Sequence, residues 1–236
     1  MKKFFLLTII FIFNFSFGQK EYQLNNLLEY ERSCYRNDSL IHSEMVYYVT
    51  NAKDNSYIVQ LDSINNTQFE LRLNDRGGFF SKVKVSRMGF FKAEYINIDC
   101  NNVLSSENPY KYQTKNYEYV LLPDTIINGE KLQKYKLTYV GKKKPKKKFS
   151  IGTNYYLIKD ATEYHLPILK HNTAFEEWKL ERSIPNGIFQ EKFFVNCKNK
   201  VENRLKLKKI IQIDKKIIIK SPCYLFDPDH IFYKGS

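Results

Sequence analysis

Between residues 43 and 98 apolar and polar side chains alternate with a period of two. Tyr57, Val59 and Leu61 fall on one side and Ile58 and Gln60 on the other. Phe69, Leu71 and Leu73 alternate with Glu70 and Arg72, and Phe79, Val83 and Val85 with Lys82, Lys84 and Ser86. Such alternation is the mark of antiparallel strands with one buried face. The pattern predicts five strands, at 43–50, 55–62, 67–73, 79–87 and 90–98. Between them lie Asn51-Ala-Lys-Asp-Asn55, Ser63-Ile-Asn-Asn66, Asn74-Asp-Arg-Gly-Gly78 and Arg87-Met-Gly89. These are turn sequences, because Gly, Asn and Asp tolerate positive φ or bond their own backbone.

Upstream, Leu24, Leu27, Leu28 and Tyr35 recur near helical spacing, with Glu21, Asn25, Glu29 and Arg32 on the other faces. This predicts an amphipathic helix over 21–36 packed on the meander. Downstream, strands are expected at 117–122, 132–140 and 153–159, with Asn128-Gly129 as a two-residue hairpin turn. Thr173-Ala-Phe-Glu176 resembles a capping box and opens a short helix from 174 to about 183, in which Trp178 faces the sheet. The last strands fall at 188–196, 205–213 and 216–220, with Asp214-Lys215 as a turn. The fold class is mainly β (α+β): an antiparallel meander forming a curved half-barrel or a sandwich, with one N-terminal and one later helix.

The start of the chain changes where this fold is placed. Lys2 and Lys3 precede an apolar run, Phe4 to Phe13, too short to span a bilayer, and Ser16-Phe17-Gly18 sets a cleavage site before Gln19. Residues 1–18 therefore read as a signal peptide, and residues 19–236 as a single exported domain, periplasmic or extracellular. No Cys follows the cleavage site, so the chain is not expected to be a lipoprotein.

Export gives the four cysteines, Cys34, Cys100, Cys197 and Cys223, an oxidising setting. Four cysteines allow three pairings. The expected bridges are Cys197–Cys223, closing one C-terminal β segment, and Cys34–Cys100, tying the N-terminal helix to the meander. No two lie at a metal-knuckle spacing, and neither a metal nor a cofactor is expected.

Charge divides the molecule. The chain carries a formal +13, and residues 131–220 hold 23 Lys and Arg against 8 Asp and Glu, whereas the remainder holds 15 against 17. The change near residue 130 is the one candidate for an internal boundary. The run Lys142, Lys143, Lys144, Lys146, Lys147 and Lys148, interrupted by Pro145, reads as a hairpin tip that repels itself. It is a candidate contact for an anionic surface, a lipid head group or polysaccharide. A solvated tip that blocks edge-to-edge pairing is the favoured explanation. Nucleic acid is not an expected partner, because nuclear import conflicts with a secretory signal.

No catalytic motif is present. Glu163 and His165 lie on one side of an expected strand, and Asp227, Asp229 and His230 cluster in the tail. These five are the only polar groups on which an exported hydrolase of envelope or nutrient polymers could be built. The leading expectation is a non-enzymatic envelope or secreted protein. It would bind an apolar ligand through a sheet face rich in aromatic residues (Tyr47, Tyr57, Phe69, Phe79, Phe91, Tyr95), or an anionic partner through the basic second half.

Overall fold

The computed structural model describes residues 19–105, 108, 111–141, 151–220 and 223. Twelve strands form one open, mostly antiparallel sheet. They are β1 (Lys20–Arg36), β2 (Ser39–Asn51), β3 (Asp54–Ser63), β4 (Gln68–Asp75), β5 (Phe79–Ser86), β6 (Tyr95–Ile98), β7 (Val103–Ser105), β8 (Tyr117–Ile127), β9 (Glu130–Tyr139), β10 (Thr153–Ile158), β11 (Phe189–Val195) and β12 (Val201–Ile219). Among the described residues two short α-helices accompany them, α1 (Arg87–Lys92) and α2 (Asn172–Glu181). The order across the sheet is β7-β5-β4-β3-β2-β1-β12-β11-β10-β9-β8, with β6 attached to β12. The sheet is continuous, not two packed layers as in a sandwich.

The meander forms as its alternation predicts, β2 to β5 pairing in sequence. Asn128 and Gly129 both take positive φ, 51° and 80°, and join β8 to β9 in a tight hairpin.

The expected N-terminal helix over 21–36 is a strand, β1, at the middle of the sheet. It pairs with β2 on one side and β12 on the other. Tyr22, Leu24 and Leu27 join one core cluster, while Leu28 and Tyr30 join another. A strand buried on both faces reads as a dense apolar run, which periodicity alone cannot separate from a buried helix.

Two further expectations change. The predicted strand 90–98 is α1 followed by β6. The Ser86 hydroxyl accepts a hydrogen bond from the Gly89 amide at 2.9 Å and starts the helix, and β6 then runs parallel to β12. The predicted turn at Asp214-Lys215 lies inside one long strand. Pairing moves from Leu24 opposite Lys215 to Asn26 opposite Gln212, so β12 carries an extra residue there, a β-bulge. The Lys215 ammonium donates to the carbonyls of Phe91 at 3.1 Å and Ala93 at 2.6 Å, binding the bulge to the end of α1. On the edge strand β8, Pro123-Asp124 is likewise a bulge within the strand and not its end.

Neither expected disulfide forms. Cys100 bonds to Cys223, while Cys34 in β1 and Cys197 in the β11–β12 turn are free thiols. The parallel pairing explains the choice. Ile98 stands beside Ile219, so both chains leave the sheet at the same end, and the cysteines two and four residues on come together. Sequence spacing carries no trace of that register.

The sheet is buried on both sides. On one, Tyr22, Leu27, Val49, Val59, Leu61, Phe69, Leu71 and Leu73 pack with Phe90 of α1 and Ile98. On the other, Leu28, Tyr30, Val46 and Tyr48 pack with Tyr156, Ile168, Phe175, Trp178 and Phe189. Trp178 anchors α2 to the sheet, as its place in the sequence predicts. That helix begins two residues earlier than expected, after His171, and ends at Arg182 with positive φ.

Candidate functional site

The segment 163–171 runs as a strap over the α2 face of the sheet. Leu166 donates its amide to the Ala52 carbonyl at 2.8 Å, and the Asn55 side chain donates to the Pro167 carbonyl at 3.0 Å. The Arg76 guanidinium reaches the carbonyls of Leu169 and Lys170 and the side chain of Asn172. It also lies 4.9 Å from the centre of the Phe175 ring. Burial lowers its pKa to about 10, so it remains a cation at neutral pH.

His165 is the strap's buried pin. Its Nδ1 is 2.5 Å from the Leu166 carbonyl, which can only accept, so Nδ1 carries the proton. The Nε2 atom then accepts from the Thr50 hydroxyl at 2.8 Å. Burial lowers the pKa of the ring and keeps it neutral. Below it a hollow of about 250 Å³, counting the part open to solvent, is lined by Thr50, Asn55, Arg76 and His165, groups already committed to holding the strap.

Beside this joint a second hollow opens. It spans about 280 Å³, counting the part open to solvent, and is lined by Tyr30, Tyr48, Ile168, Lys170, Phe189, Lys192 and Leu205. These side chains arrive from five segments of the chain. Tyr30 and Tyr48 stand on the central strands β1 and β2, their rings edge to face at 5.6 Å. Phe189 and Lys192 come from β11 and Leu205 from β12, where Lys192 and Leu205 are directly paired. Ile168 and Lys170 hang from the strap. The floor is apolar and aromatic; the walls carry two ammonium groups.

Those ammonium groups are the unusual part. Lys192 lies opposite Tyr156 across the β10–β11 pair, with Nζ 5.4 Å from the ring centre. Burial, and then repulsion from Lys170, lowers its pKa to about 8. The Lys170 ammonium turns inward to donate to Gln60 Oε1 at 2.5 Å. Burial and then Arg72 lower its pKa, partly offset by Asp62. Among the described residues neither lysine is in an ion pair, and the Tyr48 hydroxyl makes no hydrogen bond. Burial pushes that hydroxyl's pKa up to about 12, so it stays a donor.

Nearby carboxylates are engaged elsewhere. Asp62 binds Arg72 and Gln60, Glu44 binds Arg32, and Glu70 binds Arg72 and Lys82. The face beside the hollow is thus a bonded network on β1–β5, and its excess positive charge sits at Lys170 and Lys192.

The residues singled out from the sequence fare unevenly. The run Lys142–Lys148 lies outside the described residues, as do Asp227, Asp229 and His230. Glu163 is exposed and His165 buried, so the two are not presented together. Of the sheet aromatics, Tyr57 and Phe69 belong to the opposite core, and Phe91 and Tyr95 are exposed. Sequence reasoning missed Tyr30, which it placed on a helix, and Tyr48, the neighbour of the chosen Tyr47. It did point to the basic half, from which both Lys170 and Lys192 come. Among the described residues no group of three or more His, Cys, Asp or Glu is placed to hold a metal ion, and no helix is long and apolar enough to cross a membrane.

No family model and no curated protein matches the chain. Among solved structures it is similar to the MucA/MucB complex of Pseudomonas aeruginosa, at 8% identity and TM-score 0.41, over 80% of this chain and 52% of that one. It is also similar to a putative outer membrane lipoprotein-sorting protein domain from Vibrio parahaemolyticus, at 8% identity and TM-score 0.30, over 80% and 85% of the two chains. A third is a LolA superfamily protein from Nitrosomonas europaea, at 9% identity and TM-score 0.27, over 84% and 88%. The chain spans about half the length of the first. At these identities and scores the likeness carries no argument about what this chain does.

Proposed function

We propose that this is an exported, non-enzymatic binding protein of the cell envelope or its surroundings, which holds the apolar part of a ligand in the hollow between strap and sheet. The observation that carries this reading is the floor of Tyr30, Tyr48, Ile168, Phe189 and Leu205, gathered from five separate segments and open to solvent. A concave, mostly apolar site with a few polar groups at its edge is the usual form of a small-ligand pocket. The hydrolase alternative gains nothing from His165, whose two ring nitrogens are both occupied within the fold. Export rests on residues 1–18 and predicts a mature protein beginning at Gln19.

The test is titration with N-phenyl-1-naphthylamine, a neutral apolar dye that brightens on leaving water. The mature protein should bind it saturably. Leu205→Trp, which fills the hollow, should weaken that binding at least fivefold while the circular dichroism spectrum stays unchanged. Equal binding by a well-folded Leu205→Trp variant would move the site elsewhere.

A further inference from the structure

We infer that the ligand of this hollow carries a compact oxyanion head, a carboxylate or phosphate monoester, held between the ammonium groups of Lys192 and Lys170 with the Tyr48 hydroxyl as a third donor. This rests on the reading of the hollow as a ligand site and adds the chemistry of what enters it.

Three observations converge. Lys192 and Lys170 line the same hollow and come close enough to repel one another. Two cations sharing a half-enclosed, apolar-floored space cost free energy unless an anion lies between them. Among the described residues no carboxylate forms an ion pair with either lysine, since Asp62, Glu44 and Glu70 bind Arg32, Arg72 and Lys82. Glu191, next to Lys192 in sequence, points away along the strand's alternation and pairs with Arg204 at 3.1 Å. Finally, Tyr48 lines the same hollow, and its hydroxyl makes no hydrogen bond among the described residues, which leaves it free to donate to a ligand.

The other charged groups around the site do not cancel the field. The His171 imidazole is kept neutral by burial, by Lys192 and by Arg76. Arg76 is bound to the strap carbonyls and Arg32 to Glu44. An oxyanion therefore meets two ammonium groups and one hydroxyl at the rim, while its apolar body lies on Tyr30, Phe189 and Leu205.

Calorimetric titration of the mature protein with octanoate, octyl phosphate and 1-octanol at pH 7 tests this. Octanoate or octyl phosphate should bind at least tenfold more tightly than octanol, and the tighter of the two identifies the head. Lys192→Met should remove that advantage, with Lys170→Met acting in the same direction. Raising the pH from 7 to 9.5 should weaken the anion but not the alcohol, because free Lys192 loses its proton near pH 8. Equal binding of anion and alcohol by the wild type would overturn the oxyanion head and leave the apolar site standing. Failure of all three ligands to bind would overturn both readings.

Discussion

Tyr30 donates its hydroxyl hydrogen to the carbonyl of Phe189 at 2.8 Å, a bond between residues 159 apart in sequence and buried beneath the strap. It ties the middle strand of the sheet to the start of β11, two strands away, and holds two aromatic residues of the hollow's floor together. Desolvation raises the phenol's pKa far above its ordinary value, so it donates at every physiological pH. Tyr30→Phe keeps the ring and loses the bond. The expected cost is about 1 kcal/mol, the net worth of a buried neutral hydrogen bond, read from the urea midpoint at unchanged slope.

The pin at His165 should make the fold sensitive to mild acid. Its folded pKa lies below the ordinary value of 6.5, chiefly through burial. The unfolded chain therefore takes up a proton near pH 6.5, while the folded ring resists it until lower pH. The stability this contributes is complete above pH 6.5 and declines as pH falls below it. The melting temperature of the wild type should drop more between pH 7 and pH 5 than that of His165→Gln. Parallel curves would show that the ring is not the titrating pin.

Non-reducing peptide mapping should find a single bridge, Cys100–Cys223, and two alkylatable thiols, Cys197 faster than Cys34 because it is the more exposed. The bridge closes a loop of 123 residues, and a cross-link of that span typically contributes about 2–4 kcal/mol. Reduction should lower the urea midpoint accordingly. A bridge at Cys34 or Cys197 would contradict the parallel pairing of β6 with β12, which places the observed pair together.

The lysine run is proposed as a separate contact for anionic surfaces. Replacing Lys142, Lys143, Lys144, Lys146, Lys147 and Lys148 with Ser should leave the circular dichroism unchanged. It should bring elution from an anionic resin to lower salt, since each ammonium removed takes away one screened attraction. Unchanged elution would assign the run to solvation alone.

Much of the fold was legible where one face is wet. In β4 and β5 the alternation marks the strands, because one side is partly exposed and carries polar residues. The charge of the second half was equally plain, and both cleft lysines come from it. The site itself was not legible, since Tyr30, Tyr48, Lys170, Lys192 and Leu205 meet only through the strand order. That order places β12 between β1 and β11.

By itself the sequence determined the mostly-β character, the meander, the Asn128-Gly129 hairpin and the packing of Trp178, each a matter of neighbours along the chain. Tertiary structure alone decided that residues 20–36 form a central strand and that β6 lies parallel to β12. It also decided which cysteines pair and which cations share a hollow. Those outcomes depend on burial from both sides and on contacts across a hundred residues or more, and a pattern of near neighbours holds no record of either.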